Sequence, residues 1–157
     1  MLFRSKYLEL LGIDDSKILE NIGLNDRDSW PKLIKLYEGN LAYLKDIASL
    51  IKDVFAGQVA EFLAENNLII TTAMKSQLKY LFTRLSPVEQ QIVLQLSNFE
   101  NPVSRQKLKE TLELSSMEYI NGLQSLRERY LIAITKRETI CFSLSPIFRK
   151  YISKFCQ

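Results

Sequence analysis

The sequence predicts a mainly α-helical protein with a small β-hairpin near its C-terminal end. Few residues break helices, since the 157 residues include only 5 Gly and 4 Pro. Apolar residues recur at three- and four-residue spacing through most of the chain, which is typical of helices with one buried face. Only between residues 131 and 144 does the apolar period change to two, which indicates a pair of short strands.

Residues 1–85 are predicted to form a helical domain of short amphipathic helices. Asp14 or Asp15 can cap a helix at 16–22, and Pro31 suits the first turn of another. Further helices are expected at 59–65 and 72–84. Four of the predicted helices end at or near a glycine, a residue that commonly terminates helices: Gly12, Gly23, Gly39 and Gly57. Asn40 caps the longest helix, whose buried stripe comprises Leu41, Leu44, Ile47, Ala48, Ile51 and Phe55.

Residues 86–157 contain the most specific local signals. Ser86 and Glu89 have the spacing of a capping box, and so do Ser115 and Glu118, so each pair marks the start of a helix. A short helix capped by Ser104 lies between them, and the two strands and a closing helix from Pro146 follow. This order of helix, short helix, second helix, hairpin and closing helix predicts a winged helix-turn-helix domain.

In a DNA-reading domain of this kind the second helix of the helix-turn-helix enters the major groove. We expect Ile120, Leu123 and Leu126 to face inward on that helix. Most of its outward positions are uncharged, and the charged ones are acids where phosphates would lie: Glu118, Asn121, Gln124, Ser125 and Glu128. A reading helix without outward basic residues argues against a sequence-specific DNA-binding protein.

The hairpin and closing helix are more basic than the rest of the chain, whose net charge is only +3. Seven Lys/Arg and two Glu between Arg127 and Lys154 give this segment a net charge of +5. The candidate phosphate contacts are Arg127, Arg129, Lys136 and Arg137. A DNA-binding transcriptional regulator is therefore the alternative function, although ordinary solvated surface charge explains the same residues.

Several catalytic chemistries are excluded by residue type. The chain has no histidine, and its two cysteines, Cys141 and Cys156, lack the spacing of a metal site. No glycine precedes a lysine, so there is no phosphate-binding loop of the Walker A type. We expect no catalytic residues, no metal site and no enzymatic activity. The lack of a long apolar stretch or a signal peptide predicts a cytoplasmic protein with no membrane span.

Four segments, taken in order, resemble signalling ATPases of the NB-ARC (AP-ATPase, STAND) class, which includes many cyanobacterial repeat proteins. Leu36–Lys45 is similar to their Y-x-G-N-P-L-A-L-K stretch. The others are 82–90, similar to F-x-R-L-S-x-x-E-Q; 123–132, similar to L-x-S-L-x-R-R-S-L-I; and 142–152, similar to F-T-L-Q-P-V-x-x-E-Y-V. In that class these segments form a small helical domain and a winged-helix domain, which follow a nucleotide-binding domain absent here.

The resemblance implies that Gly39, Asn40, Leu41 and Ser145 lie near the nucleotide. Two departures matter: Leu41 stands where the class has a nucleotide-contacting proline, and Leu144-Ser145-Pro146 replaces its Met-His-Asp motif. The sequence therefore predicts weak or no adenine-nucleotide binding unless a partner ATPase domain is present. The leading interpretation is a non-catalytic regulatory or protein-interaction module, whose partner is a nucleotide-binding or repeat domain.

Overall fold

The structure is a computed structural model that describes residues 15–65 and 68–156. The helix expected before Gly12, the cap at Asp14 and the loop at Asn66 and Asn67 lie outside the described residues. The chain divides into two compact units between Lys75 and Ser76. This division lies ten residues before the domain boundary that the sequence predicts between residues 85 and 86. The predicted boundary stays a prediction.

The N-terminal unit consists of short helices around an apolar core. The helices are α1 (Asp15–Ile22), α2 (Trp30–Leu36), α3 (Leu41–Val54), α4 (Val59–Ala64) and the beginning of α5 (Thr72–Thr83), with a 3₁₀ turn at Arg27–Ser29 before α2. Most of the predicted stripe of α3 is fully buried. The Trp30 indole N–H donates to the Asn25 carbonyl over 2.8 Å, which satisfies the one polar group of that buried ring.

The C-terminal unit follows the predicted order of helices and strands. Its elements after α5 are α6 (Pro87–Leu96), β1 (Val103–Ser104), α7 (Arg105–Glu110), α8 (Ser116–Glu128), β2 (Ile132–Lys136), β3 (Ile140–Leu144) and α9 (Pro146–Phe155). The three antiparallel strands have the order β1-β3-β2, with Phe142 opposite both Val103 and Ile134. The predicted fold class, mainly α with a hairpin at the C-terminal end, is confirmed.

Both predicted capping boxes are present, and so are the caps at Asn40 and Ser104. Strand β1 was not predicted, because two residues are too few to show a period. The polar residues 135–138 predict the turn between the two strands, but Thr135 and Lys136 belong to β2 and pair with Cys141 and Ile140, so the turn is tighter than predicted. No helix among the described residues combines the length and the apolar character needed to cross a bilayer.

Two orientations predicted for α8 are wrong. Ile120 was expected to face inward, but it is 53% exposed, and the inner face is formed instead by Tyr119, Gly122, Leu123 and Leu126. These four positions follow the helical period without a break, whereas Ile120 lies off their face. Ser125 was expected to face outward, but it is half-buried and its hydroxyl is hydrogen-bonded inside the unit.

Candidate functional site

Hydrogen bonds of side chains hold helix α8 at its N-terminal end. The Glu118 N–H donates to Ser115 Oγ and the Ser115 N–H donates to Glu118 Oε1, each over 3.2 Å. The hydroxyl of buried Tyr119 donates to the Arg105 carbonyl over 2.6 Å. Burial raises the pKa of Tyr119 to about 12, against the opposing effect of the Arg105 charge, so the hydroxyl stays a donor at neutral pH. Helix α8 is thereby fixed to the start of α7.

Gly122 allows α8 to approach α6 closely. A Cβ at this position would lie 2.7 Å from Ile92 Cδ1 and 3.1 Å from Val88 Cγ1. Both distances are below ordinary van der Waals contact, so a side chain here must push the ends of these two α6 side chains aside. Gly122 therefore lets the two helices pack closely.

A buried carboxylate connects the same two helices. Glu89 of α6 is 6% exposed; its Oε1 accepts from the Ser86 N–H over 3.0 Å and its Oε2 accepts from the Ser125 hydroxyl over 2.8 Å. Arg129 Nε lies 3.9 Å from Oε2. Burial alone would raise the pKa of Glu89, but the hydrogen bonds from Ser86 and Ser125 and the Arg129 charge together lower it. The carboxylate is therefore ionised at neutral pH.

The outward side of α8 carries apolar side chains where the sequence suggested a polar surface. We call Met117, Ile120, Asn121 and Gln124 the α8 face; at 100° per residue they occupy about a third of the helix circumference. Met117 is 74% and Ile120 53% exposed. The two side chains adjoin on one helix, and contiguous exposed apolar surface is where proteins bind partners. The face is apolar toward the N-terminus of α8 and polar toward its C-terminus.

The four candidate phosphate contacts have different surroundings. Arg127, Lys136 and Arg137 are exposed, the last two at the tip of the hairpin. Arg129 is directed toward Glu89 and forms an ion pair with it. The link between Glu89, Ser125 and Arg129 could not be found from the sequence, because the local pattern assigned Glu89 only to its capping box.

Among the residues implied in nucleotide contact, Gly39, Asn40 and Leu41 lie at the start of α3. Glu38 and Gly39 both have left-handed backbone angles, with φ of 61° and 62°. These two residues reverse the chain after α2 so that Asn40 can begin α3, where its side-chain oxygen accepts from the Tyr43 N–H over 3.1 Å. Leu41 is half-buried in the first turn. The Asn40 side chain thus caps α3. Contact between this segment and a nucleotide stays a prediction.

Replacing Asn40 with alanine is expected to lower the free energy of unfolding by about 1 kcal/mol, because the Tyr43 N–H loses its acceptor at the helix start. Urea denaturation followed by circular dichroism measures the change. Ala42→Ser, at an exposed position in the same turn, serves as the control and should have a smaller effect. Equal stability of Asn40→Ala and the natural protein would contradict the capping role.

Ser145, the fourth residue of that set, lies in the C-terminal unit. It is 6% exposed, its Oγ accepts from the Phe148 N–H over 3.3 Å, and its own N–H donates to the Leu131 carbonyl over 2.8 Å. It therefore caps α9 and joins it to the strand region. Its predicted nearness to a nucleotide is not tested by these contacts.

Among the described residues, no group of three or more His, Cys, Asp or Glu side chains is placed so that it could hold a metal ion. Cys141 and Cys156 are both free thiols. The absence of enzymatic activity and of a cofactor stays an expectation.

The sequence has a distant relative among known proteins. Over 130 residues, 80% of this chain, the sequence is 31% identical to an uncharacterised WD repeat-containing protein of Nostoc sp. strain PCC 7120. The chain spans 10% of the length of that protein. No protein-family model matches the chain, and no solved structure matches it. The sequence is therefore similar to a small part of a much longer WD repeat-containing protein.

Proposed function

We propose that this chain is a non-catalytic regulatory or protein-interaction module, which binds a partner domain through the surface of its winged-helix unit. The observation that carries the proposal is the α8 face. On the helix that a DNA-reading protein would use for base contacts, Met117 and Ile120 are exposed, and none of the four residues of the α8 face is a cation. Exposed Met and Ile side chains gain most by docking against another apolar surface.

The partner we propose is a nucleotide-binding or repeat domain, in the same polypeptide or in another one. Two observations support it. The similar Nostoc protein is a WD repeat-containing protein, and this chain corresponds to only 10% of it. The four segments that resemble NB-ARC signalling ATPases also belong, in that class, to a regulatory region that packs against other domains.

This function predicts that the purified chain hydrolyses no ATP and binds adenine nucleotides weakly or not at all. The physical reason is that the chain has no Gly-Lys pair for phosphates, while Asn40 and Ser145 already use their side-chain oxygens to cap helices. Isothermal titration calorimetry with ADP measures the binding, and a phosphate-release assay measures hydrolysis. Tight ADP binding by this chain alone would refute the proposal.

The exposed cations of the hairpin favour a second candidate, a winged-helix protein that binds duplex DNA. On this alternative Lys136 and Arg137 contact phosphates, so the logarithm of the affinity should fall steeply with the logarithm of salt concentration. Fluorescence anisotropy with a labelled duplex tests it, using a Lys136→Glu/Arg137→Glu double variant. We expect no difference between the variant and the natural protein; a large loss of DNA affinity in the variant would favour the alternative.

A further inference from the structure

Strand β2 forms one edge of the three-stranded sheet, whose order is β1-β3-β2. In an antiparallel pair every second residue exchanges backbone hydrogen bonds with its neighbour. The Ser145 N–H donates to the Leu131 carbonyl over 2.8 Å before β2 begins, and the Arg137 N–H donates to the Thr139 carbonyl over 3.1 Å after it ends. Both bonds continue the β2–β3 register. By the period of two, residues 133 and 135 direct their N–H and C=O groups toward β3.

The alternate residues of β2 direct their backbone groups away from β3, to the open edge of the sheet. These residues are Ile132, Ile134 and Lys136, each with one N–H and one C=O on that side. No other backbone group of the described chain is hydrogen-bonded to them. A row of unpaired donors and acceptors at a sheet edge is a template for one more strand.

The sequence of β2 leaves this edge open to pairing. Proteins commonly block an edge strand with a proline, a bulge or a charged side chain in the middle of the strand. Strand β2 reads Ile-Ala-Ile-Thr-Lys, so it has no proline, and its one charge is at its end. Its register with β3 runs from Ile132 to Lys136 without a bulge. The central residue, Ile134, is only half-buried and can lose further exposed apolar surface on pairing.

We propose that β2 pairs with the β2 strand of a second copy of this chain, antiparallel about a twofold axis at Ile134. The two three-stranded sheets then join into one. In this register Ile134 faces its own counterpart, and Ile132 faces Lys136 of the second copy. All the outward backbone groups gain partners, because Ile132 and Lys136 lie equally far from the axis on either side. This pairing does not involve the α8 face.

The charges at the tip of the hairpin favour the antiparallel arrangement. Lys136 and Arg137 are exposed there, and a parallel pair in register would bring the same cations of two copies together. Antiparallel pairing places the two Lys136 residues four positions apart, which is roughly 13 Å along the strands. Screening at physiological salt acts over about 8 Å, so their repulsion is small. A second copy therefore supplies a strand of matching length without opposing its own charge.

Amide hydrogen exchange, followed by NMR in dilute and in concentrated solution, tests the pairing residue by residue. The amides of Ala133 and Thr135 are bonded to β3 within one chain, so they should be protected at both concentrations. We expect the amides of Ile132, Ile134 and Lys136 to exchange at least about tenfold more slowly in the concentrated sample. Sedimentation equilibrium should show a change from monomer to dimer over the same range.

Paired substitutions at Ile134 test the twofold register. Ile134→Lys and Ile134→Asp each place like charges opposite one another on the axis, so each variant alone should dimerise at least about tenfold more weakly. An equal mixture of the two places opposite charges together and should form a heterodimer, which also shows that both variants are folded. Ile140→Lys is the matched control; it changes an exposed residue of β3, one strand away from the edge, and should leave the dimer intact.

Three results would overturn the proposal. A monomer at every concentration, with residues 132, 134 and 136 unprotected, would leave the edge to a strand of a different protein. Protection that does not depend on concentration would mean that the chain covers its own edge. A mixture of variants no more dimeric than either one alone would contradict the register. The exchange result on the natural protein stands whether or not the variants fold, and none of these outcomes bears on ADP binding or on the α8 face.

Discussion

Replacing Gly122 with valine is expected to lower the free energy of unfolding by about 3 kcal/mol. A Cβ at this position already falls within 2.7 Å of Ile92 and 3.1 Å of Val88, and valine adds two methyl groups beyond it. Helix α8 must then move away from α6 or force both α6 side chains out of their rotamers. A glycine inside a helix is itself unfavourable by about 1 kcal/mol relative to alanine, so close packing of α8 on α6 is what offsets this cost.

Urea denaturation of the Gly122→Val protein measures the loss. Asn121→Ala is the matched control, since its side chain is exposed on the next residue of the same helix; its effect should stay within about 0.5 kcal/mol. Similar stabilities of the two variants would contradict the close contact between α8 and α6.

Replacing Glu89 with alanine is expected to lower the free energy of unfolding by about 3 kcal/mol at pH 7, because charged hydrogen bonds inside the unit are lost. The change removes the acceptor of the Ser86 N–H and the acceptor of the Ser125 hydroxyl, and it removes the charge paired with Arg129. Urea denaturation at pH 7 measures the loss. Glu89→Gln, which keeps the side-chain length and the capping oxygen, should lose less.

The Glu89 contribution should also depend on pH. Its pKa is lowered in the folded protein, so the stabilisation is complete above the carboxyl pKa of the unfolded chain and is lost as the pH falls through the folded pKa. The natural protein and Glu89→Ala should therefore differ less in free energy of unfolding as the pH falls below the ordinary pKa range of carboxyl groups. A difference that does not change with pH would contradict an ionised, hydrogen-bonded carboxylate.

Local signals in the sequence were sufficient to predict most helix starts. Capping residues such as Ser86, Ser115 and Asn40 act within a few residues of themselves, so their spacing alone predicts the hydrogen bonds that form. The change of period after residue 131 likewise predicted the hairpin. These features depend only on neighbours along the chain.

The candidate site was predicted less well, because its geometry depends on contacts between distant residues. Ile120 was assigned to the core by its residue type, but Tyr119 takes the inner position, where it can reach the Arg105 carbonyl. Arg129 was grouped with the surface cations, yet it lies beside a carboxylate forty positions earlier in the chain. The apolar character of the α8 face emerges only once Ile120 is known to point outward.

The most direct test of a protein-docking role is calorimetric titration of this chain with the WD-repeat region of the Nostoc relative. If the α8 face is the docking surface, we expect micromolar binding, about tenfold weaker binding for the Met117→Ser/Ile120→Ser variant, and no change for Val54→Ser. Binding that is equally strong in all three proteins, or that is lost only in Lys136→Glu/Arg137→Glu while duplex DNA competes for it, would contradict a protein-docking role of the α8 face.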